Sequence, residues 1–243
     1  MALQLKLLGS FEARNAGNDQ LTFPTSKAKG LFAYLALEQD QPHTREKLSN
    51  LFWGDACEDR SRANLRQALT RVRQAMPPSL SECLMAHNGT IQLNVSTIQT
   101  DALDFEHCMN DQSIESLERA AALYRGDLLE GFLLHEEAFE GWLRLERQRY
   151  RERAIGCFEA LLGHYQGFGA STRGIEIGNR LLALDPYREP IHRLLMVFYE
   201  NQYRRGAALA QYEEFCVLLR DDLDVEPEEE TTALTGSKRA EEC

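Results

Sequence analysis

Between Arg60 and Gln74 the chain carries five arginines (Arg60, Arg62, Arg66, Arg71, Arg73) and no acidic residue. A guanidinium is a planar fork with parallel donors, matched to phosphate oxygens and to the edge of guanine. Asn64, Gln67 and Gln74 lie in the same run, and their amides pair bidentately with adenine. Read as a helix, the run places Leu65, Leu69, Val72 and Met76 on one apolar stripe. Asn64, Gln67, Thr70, Arg71 and Gln74 then face outward, while Arg62, Arg66 and Arg73 flank the stripe. The chemistry expected is contact with double-stranded DNA, through Arg62, Asn64, Arg66, Gln67, Thr70, Arg71, Arg73 and Gln74. Taken alone, the run also fits a basic amphipathic helix whose outer face is only solvated.

The elements around this run strengthen the nucleic-acid reading. Leu3, Leu5 and Leu7 alternate with Gln4 and Lys6, the period of a half-buried strand. Phe11–Arg14 continues as a second strand, Asn15–Asn18 is turn chemistry, and Leu21–Phe23 reads as a short third strand. Pro24-Thr25-Ser26 opens a helix over Lys27–Glu38, and a second helix starts near Thr44 and ends at Trp53-Gly54-Asp55. A loop of roughly eight residues leads to the third helix, about Ser61 to Met76, which Pro77-Pro78 terminates. Strand-like runs around Glu82–Ala86 and Thr90–Val95 flank Asn88-Gly89, a hairpin signal. Strands, three helices and a hairpin are the order of a winged helix-turn-helix, whose last helix enters the major groove. The wing tip, His87–Thr90, has no Lys or Arg.

Charge separates the chain into two parts. The 243 residues carry a formal net charge of −11, which as a whole disfavours a polyanionic partner. Residues 1–100 hold 11 Lys+Arg against 9 Asp+Glu, however, and residues 101–243 hold 16 against 29, a net −13. With 43% hydrophobic and 27% charged residues the chain is neither collagen-like nor wholly disordered. The longest apolar run, Gly30–Leu37, is too short to span a bilayer, and the N-terminus lacks a signal-peptide core, so a cytoplasmic protein is expected. Six scattered Cys without a C-x-x-C pair read as buried or idle thiols.

The second part is helical in pattern. Asp101–Phe105 looks like a helix entry, Leu117–Tyr124 is helical, and a long run covers about Phe139 to Gln166. Helices then read at about 171–184, 188–202 and 205–222. Leu161 and Leu195 are 34 residues apart, as are Tyr165 and Tyr199, and Gly174 and Ala208. A helix–turn–helix period of that length with those residue types is the tetratricopeptide signature, although Leu162 and Gly178 depart from it. The fold class is therefore mainly α with a small β component: a winged helix over 1–100, a tetratricopeptide-like domain over 101–235, and a tail over 236–243.

Tyr124-Arg125-Gly126-Asp127-Leu128-Leu129, Trp142 with Glu146-Arg147, Leu181–Pro186, Glu189, Leu194–Met196 and Leu223–Pro227 together resemble the bacterial transcriptional activator domain. Leu51–Asp55 and the Arg62–Arg73 helix resemble the OmpR-like DNA-binding domain that precedes it in the SARP class of activators. The resemblance covers roughly residues 3 to 235. It implies a transcription activator that binds direct repeats near promoters, commonly as a homodimer, and recruits RNA polymerase. It also implies that in many relatives an ATPase or further repeats follow, so the chain is expected to be either the regulator or a piece of a longer one.

Enzyme readings find no support. There is no G-x-x-x-x-G-K-[ST] loop and no H-E-x-x-H, and Gly167-x-Gly169 lacks a dinucleotide fingerprint. The six His do not cluster with Cys at ligand spacing, so no metal and no cofactor are expected. The alternative to DNA binding is a protein-interaction scaffold, or a regulatory piece of a larger signalling protein, in which the winged helix serves protein contact.

Overall fold

The computed structural model describes residues 3–39, 41–80 and 83–236. It is mainly helical with a small sheet component. The chain divides into two compact units, Met1–Glu152 and Arg153–Cys243. Among the described residues, no helix is long and apolar enough to cross a membrane.

The first unit begins with β1 (Leu3–Lys6) and β2 (Glu12–Arg14), paired antiparallel with Leu5 opposite Ala13. Alternation is visible as burial, since Leu3 and Leu5 are inside and Gln4 and Lys6 outside. Helices α1 (Ser26–Leu37) and α2 (Arg45–Trp53) follow, with the short strand β3 (His43–Thr44) between them. Thr25 caps α1 by accepting from the Ala28 amide at 3.2 Å, and Thr44 caps α2 from the Lys47 amide at 3.1 Å. Each such cap contributes about 1 kcal/mol. Helix α3 (Glu58–Ala75) leads to the hairpin β4 (Leu84–His87) and β5 (Thr90–Leu93), then β6 (Ile98–Thr100). Asn88 (φ 47°) and Gly89 (φ 80°) are both left-handed, as a two-residue hairpin turn with matching twist requires. The two sheets have strand orders β2-β1-β6 and β3-β5-β4, with β6 parallel to β1. Helices α4 (Asp101–Asp111) and α5 (Ile114–Leu123) and the first part of α6 (Glu137–Gly167) complete the unit.

Several elements differ from the sequence expectation. Leu21–Phe23 forms no strand. The Leu21 amide bonds the Ala13 carbonyl at 2.8 Å, but Phe23 leaves the ladder to stack on Phe32 at 5.1 Å. Helix α3 starts at Glu58, so its link to α2 is residues 54–57, about half the expected length. The strands β3 and β6 have no period of their own to read. They exist through pairing with β5 and β1. Part of the first strand-like run of the hairpin, Ser81 and Glu82, lies outside the described residues, as does the tail from 237.

The second unit holds the rest of α6 and α7 (Ser171–Leu184), α8 (Glu189–Asn201), α9 (Arg205–Leu223) and α10 (Glu229–Gly236). Helix α8 packs on both α7 and α9. Gly174 and Gly178 let α7 approach α8 closely: a Cβ on Gly174 would sit 2.6 Å from Phe198 Cζ, and one on Gly178 2.6 Å from Leu195 Cδ2. Helix α10, absent from the sequence reading, has little apolar period. It is held by Thr231, fully buried, whose hydroxyl bonds Glu189, and by Arg193, which reaches Glu228 at 2.8 Å.

His192 is buried, its ring stacked on Phe215 with centroids 4.0 Å apart. One ring nitrogen meets the Pro186 carbonyl at 2.9 Å and the other the Gln211 amide at 3.0 Å. Burial holds its pKa below the usual imidazole range, against the opposite pull of the Pro186 carbonyl, Glu189 and Glu214.

Two expectations follow for stability. Gly174→Ala lowers it by about 1–3 kcal/mol, because the Phe198 ring is buried and cannot yield. Gly163→Ala, which meets nothing within 4 Å, raises it by up to about 1 kcal/mol through helix propensity. Urea unfolding of the two variants measures both. For His192, the unfolded chain takes up a proton near pH 6.5 that the folded chain binds only at lower pH. Stability therefore falls as pH drops through that window. The melting temperature of the wild type should fall between about pH 7.5 and about pH 5.5 by more than that of His192→Gln.

Candidate nucleic-acid interface

The rotation of α3 about its axis is set by its apolar side. Ser61, Leu65, Ala68, Leu69 and Val72 are all buried, with α3 packed on α1 and α2. Arg60, Arg62, Arg66, Gln67, Thr70, Arg73 and Gln74 are exposed as a result, and Asn64 and Arg71 are half-buried. The expected outward set thus splits. Thr70 and Gln74 are open to solvent, whereas Asn64, Arg71 and the exposed Gln67 help to line a groove.

Pairing differs from one arginine to the next. Arg62 forms an i,i+4 ion pair with Glu58, in the first turn of α3, where an acid also suits the helix dipole. Arg66 reaches only the Arg62 carbonyl, at 3.5 Å. Among the described residues, no ion-pair partner is present for Arg60, Arg66, Arg71 or Arg73. Several arginines of the later helices are paired: Arg149 bonds Glu106 and Glu146 at 2.7 Å, Arg188 bonds Asp185 at 2.7 Å, and Arg193 bonds Glu228, whereas Arg119, Arg144 and Arg220 have no ion-pair partner among the described residues. Thr70 donates its hydroxyl proton to the Arg66 carbonyl at 3.0 Å, leaving only lone pairs for an outside donor.

The body beneath α3 is aromatic. Phe52 of α2 lies 5.0 Å from Phe139 of α6, Phe139 5.3 Å from Trp142, and Trp142 4.8 Å from Tyr34 of α1. Lys27 donates to the Phe52 carbonyl at 2.9 Å and pairs with Glu136. The Tyr124–Leu129 motif joins the first sheet directly: the Leu129 amide bonds the Leu7 carbonyl at 2.8 Å and the Gly9 amide bonds Asp127 at 3.0 Å. Buried Asp101 accepts from the Leu7 amide and from Arg125, each at 2.6 Å. Arg147 donates to the carbonyls of Leu128, Leu129 and Phe132 at 2.8, 2.7 and 3.2 Å. Glu140 accepts from the Leu134 amide at 2.7 Å. The segment 128–134 is therefore pinned at successive backbone positions.

That pinned segment forms the far wall of a groove of about 460 Å³ along one flank of α3. Thr25, Ser26 and Lys27 of α1, Trp53 of α2, Asn64, Gln67, Ala68 and Arg71 of α3, and Leu133, Leu134 and His135 line it. Ser26 and Lys27 were legible only as the start of α1 and His135 carries no periodic or motif signal, so sequence reasoning placed none of them in a site. Arg62, Arg66 and Arg73 are not among the lining residues. The hairpin turn is anchored by the Arg45 amide, which bonds the Gly89 carbonyl at 3.2 Å. Of the five cysteines described, Cys57 is exposed, Cys216 is half-buried, and Cys83, Cys108 and Cys157 are buried.

If Arg147 holds the groove wall, Arg147→Met strands three carbonyls and costs about 2–3 kcal/mol. Amide exchange over 128–134 should accelerate in that variant. Unchanged exchange there would show that the wall is held by other contacts.

Comparison with known proteins is consistent with this architecture. The family described as "Bacterial transcriptional activator domain" matches residues 102–237. The chain is 25% identical over 238 residues to the regulatory protein AfsR of Streptomyces coelicolor, covering 93% of this chain and 23% of that protein. It is 24% identical to AfsR of Streptomyces griseus, covering 96% of this chain and 24% of that protein. It is also 24% identical to the transcriptional regulatory protein MoaR1 of Mycobacterium bovis, covering 93% and 76%. The chain thus spans about a quarter of the length of the two AfsR proteins. Among solved structures, Mycobacterium tuberculosis EmbR in complex with a low-affinity phosphopeptide superposes with a TM-score of 0.63 at 19% identity, over 98% of this chain and 65% of that one. That likeness is one of fold. The chain belongs to the bacterial transcriptional activator domain family.

Proposed function

We propose that the chain is a DNA-binding transcriptional activator. Residues 1–100 form its OmpR-like winged helix-turn-helix, with α3 as the helix that enters the major groove and β4–β5 as the wing. Residues 101–235 form a tetratricopeptide-like activator domain, and the chain performs no catalysis of its own. The observation that carries the reading is the state of the α3 guanidiniums: among the described residues Arg60, Arg66, Arg71 and Arg73 have no acidic partner and share one helix, while ion pairs hold Arg149, Arg188 and Arg193. Unneutralised cations on one helix favour a phosphate partner, and the exposed amides of Gln67 and Gln74 are suited to base edges. The first turn carries Glu58 and Asp59, which orients the remainder of α3, rather than its start, toward phosphate.

The net −13 of residues 101–243 repels DNA and suits basic surfaces on RNA polymerase or on the second protomer of a homodimer. A protein-contact reading of the wing is favoured by two features. Its tip carries no cation, and Met85 on β4 is 41% exposed.

Promoter duplexes selected from a genomic pool, titrated with the full chain, test the proposal. Arg66→Ala with Arg71→Ala should weaken binding and reduce the slope of log affinity against log salt by about 1 per lost phosphate contact. Unchanged affinity and slope in the double variant would exclude α3 as the DNA-contacting element.

A further inference from the structure

The groove beside α3 combines apolar lining from Trp53, Ala68, Leu133 and Leu134 with hydrogen-bonding side chains. Ser26, Gln67 and His135 are exposed and Asn64 and Arg71 half-buried, and no hydrogen-bond or ion partner for these five side chains is present among the described residues. No carboxylate lines the groove. Glu136, next along the wall, is engaged by Lys27. Three separate segments therefore bring hydrogen-bonding groups to one concavity, with no acid among the described lining residues and no internal use for those groups. Such a lining suits an oxyanion rich in acceptor oxygens.

The position of the groove narrows the choice of oxyanion. A helix about 10–12 Å across fills a major groove about 12 Å wide, so a phosphodiester strand runs along each of its flanks. Arg66 and Arg73 lie on one flank of α3, and the groove lies on the other. Resting on the DNA-binding reading above, we propose that the groove holds backbone phosphate of the second strand. Arg71 and His135 are its contacts and Ser26 a further donor. The Leu133–His135 segment, which belongs to the region matched by the activator-domain family, is then itself part of the DNA-binding surface. The wall is built for such a role. His135 is held at φ 56°, a conformation costly for a non-glycine residue, in a segment fixed by Arg147 and Glu140.

The test adds one negative charge at two places in the full chain: His135→Glu in the groove and Leu145→Glu on α6, where Leu145 is 68% exposed. Binding to a fluorescent random-sequence duplex of about 30 base pairs is followed by anisotropy across a salt series, since phosphate contact needs no particular sequence. His135→Glu should weaken binding about tenfold more than Leu145→Glu, because only the former sets a carboxylate against phosphate. Ser26→Glu, outside the pinned wall, should repeat the effect and guards against a folding defect in the first variant. Equal affinity of the groove variants and Leu145→Glu overturns the proposal. Binding of inorganic phosphate or a nucleoside monophosphate to the free chain, abolished by His135→Glu while duplex binding is untouched, also overturns it and assigns the groove to a small phosphate ligand. A wild-type chain that binds no duplex at all removes the DNA reading itself, an outcome separate from both.

Discussion

The buried stripe of α3 fixes everything that the exterior of that helix can do. Leu65, Leu69 and Val72 are at most 2% exposed, and the helix has no freedom to turn about its axis without bringing them into water. Exposing three such side chains would cost several kcal/mol, at about 1.5–3 kcal/mol each. That is more than surface charge effects can offset, so all five guanidiniums are held on the solvent side. The aromatic contacts of Phe52, Phe139, Trp142 and Tyr34 then tie the start of α6 to the same body. Residues 101–152 therefore share one compact unit with the helices that precede them, while the family match runs from 102 to 237 and crosses the division between the units. The Tyr124–Leu129 motif explains why. It lends backbone to the edge of the first sheet through the Leu7 and Gly9 pairings, so a feature of the activator region completes the N-terminal fold.

Electrostatics divides the labour inside that unit. Asp101 satisfies the amides of Leu7 and Leu8 and the Arg125 guanidinium. Burial pushes its carboxyl above the usual range, while those donors pull it back down. Its role is to hold backbone. Arg147 plays the complementary part, spending a cation on carbonyls. Of the α3 cations, Arg62 pairs with Glu58 and Arg66 reaches the Arg62 carbonyl. Among the described residues Arg60, Arg66, Arg71 and Arg73 have no acidic partner, and a charge left unpaired at the surface contributes little to folding.

Much of this was legible in the sequence where a period or a turn rule operated. The alternation of Leu3 and Leu5, the caps at Thr25 and Thr44, the Asn88-Gly89 turn, the α3 stripe and the helices over 171–223 follow local rules, and the structure has them. Other features depend on contacts far along the chain. The strands β3 and β6 are two and three residues long and exist through their neighbours. Phe23 gave up a strand for a ring contact with Phe32. Helix α10 depends on Thr231 and Glu189. The groove wall at 133–135 was illegible for the same reason: what makes it a wall is Arg147 and Glu140, later in the chain, and its left-handed His135 leaves no compositional mark. Conversely, Glu58 altered the expected site only because α3 starts a turn early, which brings an acid within reach of Arg62.

Arginine modification with a dicarbonyl reagent, with and without promoter duplex, tests whether α3 faces DNA. Protection by DNA of Arg60, Arg66, Arg71 and Arg73, with exposed Arg119 and Arg144 still reactive, is the result that follows from a DNA-facing α3. Full reactivity of the α3 arginines in the presence of saturating duplex would contradict it.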